Sequence, residues 1–213
     1  MSKSVRFRTL VKELNRLRKQ FIPKVSPTGL YSDRQLALTL TYRVFVHAEI
    51  EAYFEDRVWE VTLNAKQNWD SQGKTCRTLI CLLAFSGQMM EVPPDTLNPT
   101  KGSTKVKEEK LKINKKIDLA IKSFKRVIDQ NHGIKEANLL ALLLPRGIDT
   151  DDLDSAWLGT MNTFGEERGV AVHTSATSPK TIRVINPINE LRRVEQIIQE
   201  LLRVDELINH LTR

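Results

Sequence analysis

In the stretch RGVAVHTSA (168–176) an arginine and a histidine stand five residues apart, with Gly169 directly after Arg168 and His173 beyond it. Arginine stays charged at every working pH, and its planar fork of donors suits phosphate oxygens. Histidine moves a proton near neutrality. Metal-free RNA cleavage needs those two properties: a base for the 2′-hydroxyl proton and a cation at the phosphate, where charge develops. On one helix, five residues set the side chains about 140° and ~7.5 Å apart, so a single chain converges them poorly. Two copies related by a twofold axis would bring both pairs into one cleft. The plainer reading is a capped helix end with an unrelated histidine.

A further candidate lies upstream, in LTLTYRVFVHAEIEAYFEDRVWE (38–60). Advancing about 100° per residue from Tyr42, Phe45, Val46, Ala52 and Tyr53 make an apolar sector with Glu49 in its middle. His47 and Glu51 fall on the more polar side. A carboxylate turned toward a core needs a hydrogen-bonding or charged partner. Glu49 therefore reads either as half of a structural salt bridge or as a site carboxylate with a tuned pKa. His132 suits a helix-end role and His210 a solvent-facing one.

Other signals fail on inspection. NPT (98–100) has proline in the middle position and is no glycosylation acceptor. KGST (101–104) lacks the upstream glycines of a phosphate loop. DTDDLD (149–154) lacks the glycine and terminal glutamate of a calcium loop, and its acids suit a helix start. Cys76 and Cys81 are too close along one helix to bridge and have no metal-ligand spacing. No metal and no cofactor is implied, so any hydrolysis is expected to proceed without a tightly held ion.

The elements that must position these residues read as helices almost throughout, because apolar positions recur at helical spacing and strand-like alternation is scarce. Leu10, Leu14 and Leu17 mark a first helix, followed by the Pro/Gly connection FIPKVSPTG. A long helix is expected from Asp33, as N-cap, to about Lys66. KTCRTLICLLAFSG (74–87) reads as a third helix, and VPPDTLNPTKGST (92–104) as an exposed loop. A basic helix is expected over 105–131, a short apolar one over 135–144, and another from DTDDLDSAWLGTMNTF onward. The last helix opens with Asn186-Pro187, and its apolar seam packs in the core or against a second copy. GVAVHTS and KTIRVI (180–185) flank a Ser/Pro turn, so a short helical turn or one short β-hairpin fits there. The expected fold is an all-α, single-domain bundle of about six to seven helices spanning 1–213, with residues 1–30 as a basic N-terminal helix and connection.

The net charge of +7 on 213 residues is unevenly spread. Residues 1–34 hold nine Lys/Arg against Glu13 and Asp33, and residues 101–126 hold ten against Glu108, Glu109 and Asp118. Two blocks of net +7 leave the remainder net −7, a pattern that suits an anionic polymer or, alternatively, a pair of solvated helix faces. No apolar run approaches the ~20 residues of a membrane span, and the basic start lacks the apolar block of a secretory signal. A cytoplasmic protein is expected.

The segments YRVFVHAEIEAYFED (42–56), NHGIKEANLLALLLPRGIDTDDLDSAWLGTMNTFGEERG (131–169) and RGVAVHTS (168–175) are similar to the HEPN superfamily, in particular its RiboL-PSP-HEPN type. The resemblance runs from about residue 30 to the C-terminus. It implies an all-α bundle, a homodimer and a metal-independent endoribonuclease with an Arg-x4-6-His motif, acting in toxin–antitoxin systems, RNA processing or defence against phage. Its expected partners are RNA, a second copy and an antitoxin or defence-system protein, with no membrane. By position, Arg168 would hold the scissile phosphate, His173 would transfer protons, and a 2′,3′-cyclic phosphate would form. Glu49 would be the acidic residue on a neighbouring helix, with Ser175 and Asn131 as auxiliary substrate contacts. The chain departs from the pattern at Gly169, where relatives often carry a polar residue. It also has Ser175 where some toxin–antitoxin members carry a modifiable tyrosine. Some members do not cut and serve as docking modules, so a non-catalytic adaptor for protein or nucleic acid is the alternative.

Overall fold

The computed structural model describes residues 3–89, 112–173 and 185–211, the side chains of residues 172 and 173 excepted. Seven α-helices account for most of them: α1 (Val5–Phe21), α2 (Asp33–Gln72), α3 (Arg77–Phe85), α4 (Ile113–Asp129), α5 (Glu136–Leu143), α6 (Ser155–His173) and α7 (Pro187–His210). Two single-turn 3-10 helices, Leu144–Arg146 and Thr150–Asp152, join α5 to α6. No strand occurs among the described residues, and 169–173, the start of the hairpin alternative, is helical. Residues 180–184, the loop 92–104 and the basic stretch 101–111 lie outside the described residues.

Four helices start on a side-chain cap; on α6 it is Asp154, whose Oδ1 accepts from the Trp157 amide at 2.7 Å. Ser4 Oγ accepts from the Phe7 amide at 2.9 Å, and Asn186 Oδ1 accepts from the amides of Ile188 and Asn189 ahead of Pro187. On α2 the cap is Ser32, one residue before the expected Asp33, and Gln35 closes a capping box. α2 then runs 40 residues, about 60 Å, past the expected end near Lys66. It stops at Gly73, whose φ of 65° is costly for any other residue.

This long helix is the axis of the bundle and touches each of the other six. Its buried positions include Tyr42, Arg43, Val46, His47, Ile50, Tyr53, Phe54, Arg57, Val58 and Val61. On the wheel these fill an arc from about 0° to 160°, centred near 80°. The expected apolar sector was therefore misplaced: Phe45 is 46% exposed, Glu49 sits half-buried outside the arc, and His47 is 2% exposed. A helix wrapped by six others buries polar residues along with apolar ones, which pulls the covered arc away from the most hydrophobic sector.

Buried charges are paired across helices. Asp205 of α7 is fully enclosed and accepts from the Ser4 amide (2.8 Å), the Ser4 hydroxyl (2.6 Å), the Tyr53 hydroxyl (2.8 Å) and Arg57 Nε (3.2 Å). One carboxylate thus joins the start of α1 to α2 and α7. Burial, and then the Asp205 charge, push the Tyr53 hydroxyl well above its ordinary pKa, so it stays a donor.

Candidate active site

Arg168 lies on α6, in register with Phe164 and Gly165, so it continues the face that packs on α2. Two ion pairs fix this stretch of α6. Arg43 of α2 meets Glu190 of α7 side-on, with Nε–Oε1 at 2.9 Å and Nη2–Oε2 at 2.5 Å. Its Nη1 lies 2.9 Å from Glu167, which also accepts from Arg193 Nη1 at 2.5 Å. Glu167 is thereby held toward α7, and Arg168, one residue on, turns toward α2.

The Arg168 charge acts there on His47 and Glu51. Gly165 makes the approach: a Cβ at that position would stand 3.9 Å from His47 Nε2 and 2.9 Å from Lys135 Cγ. Phe164 stacks on the imidazole with centroids 6.2 Å apart. Burial lowers the His47 pKa to about 4, with the Arg168 charge as the second cause. The ring is therefore neutral at pH 7, and its Nδ1, 3.5 Å from Glu51 Oε2, forms no ion pair there and no aligned hydrogen bond. The Glu51 carboxyl is shifted the other way, upward, by burial first and by Glu55 second, against the opposing pull of Arg168 and His132. Arg168 Nε is buried with no hydrogen-bond partner among the described residues.

Glu55 and His132 carry the cluster outward into a cleft of about 420 Å³ that Asp56, Trp59, Lys125 and Asp129 also line. Glu55 Oε1 accepts from the Asn131 amide at 2.8 Å; that amide also donates to Gly133 O (3.1 Å) and accepts from Asn138 (3.0 Å). A cation with a spare donor, a neutral imidazole and a carboxyl whose pKa is raised by burial make an acid–base group suited to an anionic substrate.

Of the residues expected at a site, Arg168 is in this cluster. Asn131 sits beside it, with its amide fully engaged in positioning Glu55. Glu49 forms no hydrogen bond or ion pair with another described side chain, and the carboxylate that the Arg168 charge acts on is Glu51. His173 is the last residue of α6; its side chain and all of Ser175 lie outside the described residues. His47 and Glu51 were the residues that sequence reasoning passed over. Their i, i+4 spacing on a helix too long to have one free face was the available signal. Among the described residues no group of three or more His, Cys, Asp or Glu side chains is placed to hold a metal ion, and no described helix is long and apolar enough to cross a membrane. No family model matches the chain, and neither a curated protein nor a solved structure is significantly similar to it.

Proposed function

We propose that this chain is a metal-independent endoribonuclease of the HEPN type, belonging to a bacterial toxin or defence system and working as a homodimer. The observation that carries the reading is Arg168: a half-buried guanidinium whose Nε has no partner among the described residues and whose charge acts on a neutral His47 and on a carboxyl, Glu51, with a raised pKa. In the proposed reaction a base removes the 2′-hydroxyl proton and the 2′-oxygen attacks phosphorus. The bond from phosphorus to the 5′-oxygen then breaks, and that oxygen takes a proton. The products are a 2′,3′-cyclic phosphate and a 5′-hydroxyl. Arg168 holds the phosphate as charge grows on it, and His173 carries the protons. Glu51 and His47 position the arginine. The Lys/Arg of α1 and of α4 draw the RNA in.

The test is labelled RNA incubated with the protein in EDTA, followed by end-group analysis. Cyclic-phosphate ends are expected, with a loss of about 10²-fold or more in His173→Ala at unchanged fold and mass. Cleavage undiminished in that variant sinks the assignment. One observation favours the adaptor reading: a Cβ at Gly169 would meet open space, so packing does not impose the absence of a polar side chain after the arginine. Intact RNA with tight, salt-sensitive binding is the adaptor's outcome in the same assay.

A further inference from the structure

Arg146 is a buried cation with no anionic partner among the described residues. It ends the single-turn helix after α5 and is 1% exposed. Its guanidinium lies 3.7 Å from the centre of the Phe124 ring, and Nη1 donates to the Thr62 hydroxyl. Nε and Nη2 have no hydrogen-bond partner, and no carboxylate pairs with the group, among the described residues. Burial pulls its pKa down to about 9. Two unsatisfied donors on an enclosed charge are costly. They also share one edge of the fork, the edge that a two-oxygen anion bridges.

Sulfur is the group at hand. α3 lies across the turn that carries Arg146: the Thr78 hydroxyl donates to Arg146 O at 3.1 Å, and a Cβ at Gly147 (φ 97°) would fall 2.9 Å from Arg77 Cγ. α3 buries Thr78, Leu79 and Leu82. Cys81 stands one turn on from Arg77 and Thr78 and shares their face of α3, whereas Cys76 is the extended N-cap residue before the helix; both are half-buried and both are free. Of the two, Cys81 interacts more strongly with the Arg146 charge.

We propose that Cys81 is an oxidation site whose anionic product is held by Arg146. The oxidant is a hydroperoxide. The Cys81 sulfur attacks the peroxide, the O–O bond breaks, an S–O bond forms, and water or an alcohol leaves; sulfur is oxidised by two electrons and the peroxide is reduced. A second equivalent repeats the exchange and gives the sulfinic acid, which releases its proton at neutral pH. Its two oxygens take the two unsatisfied donors, tying α3 to the 144–147 turn.

The full chain is treated with hydrogen peroxide and mapped by peptide mass spectrometry, and thermal midpoints are compared before and after. A gain of about 32 Da, two oxygens, is expected at Cys81 in preference to Cys76. The oxidised midpoint should exceed the reduced one, and the rise should be absent in Arg146→Met. Because that variant alters the core, Cys81→Asp against Cys81→Asn supplies a second measurement with Arg146 in place: the carboxylate should melt higher than the amide. Preferential oxidation of Cys76, an oxidised midpoint at or below the reduced one, or Cys81→Asp no more stable than Cys81→Asn each overturns the proposal.

Discussion

His47 links the site to a measurable pH dependence. Unfolded, its imidazole takes a proton at the ordinary value near 6.5; folded, it does so only at about 4. A depressed folded pKa means that stability is fully present above 6.5 and drains away as pH falls toward 4, by on the order of 3 kcal/mol. Urea midpoints from pH 7.5 to 4 should show that loss in the natural chain and lack that portion of it in His47→Gln. Arg168→Gln should move the imidazole pKa upward, because the second cause of its depression is gone, although burial keeps it below 6.5. Glu51 runs in the opposite sense. A raised folded pKa makes the ionised carboxylate a cost at neutral pH, lost on amidation, so Glu51→Gln should raise the urea midpoint at pH 7. The same variant should cut RNA cleavage by about 10²-fold or more if the carboxyl takes part in proton movement. A variant that is stabilised and fully active would confine Glu51 to an electrostatic supporting role.

Two glycines of α6 four residues apart separate packing from helix propensity. Gly169 has open space around its missing Cβ, whereas Gly165 lies against Lys135 and His47. Gly169→Ala should stabilise by about 1 kcal/mol, and Gly165→Ala should forfeit that gain by displacing Lys135; paired denaturation curves compare them. Asp205→Ala should cost ~3 kcal/mol, since it leaves the Ser4, Tyr53 and Arg57 Nε donors without their acceptor while Glu60 still pairs with Arg57 Nη1. Elements of this kind were largely legible beforehand. Asn186-Pro187 announced α7, Leu10, Leu14 and Leu17 announced α1, and helical periodicity gave the class. What periodicity could not give was which side of α2 faces the arginine. The covered arc depends on how many neighbours a helix has, and no single helix encodes that number. Asp205 was likewise hidden, because a residue that binds three helices together resembles any acidic residue on a charged face. Arg168 was visible because its spacing to His173 is local; His47 and Glu51 were not, because their proximity to it is tertiary.

At the scale of the whole molecule the question is whether one chain or two complete the reacting group. Arg168 is committed to its own α2, through His47 and Glu51. His173 follows it by five helical residues, about 140° around the axis and ~7.5 Å along it, so the two positions lie on different faces of α6. In a twofold assembly each cleft can instead take its arginine from one copy and its histidine from the other. Mixing two inactive variants distinguishes the cases. If Arg168→Ala and His173→Ala chains are denatured together and refolded, random pairing makes about half of the dimers mixed. Each mixed dimer then contains one cleft with both natural side chains and one with neither. Cleavage should recover to about a quarter of the natural rate, with each variant alone inactive and the mass unchanged. A site built within one chain gives no recovery, since no chain in the mixture carries both residues. Recovery therefore requires that the site be shared between subunits, and its absence, in a mixture shown to contain mixed dimers, returns the chemistry to a site within one chain that needs both Arg168 and His173.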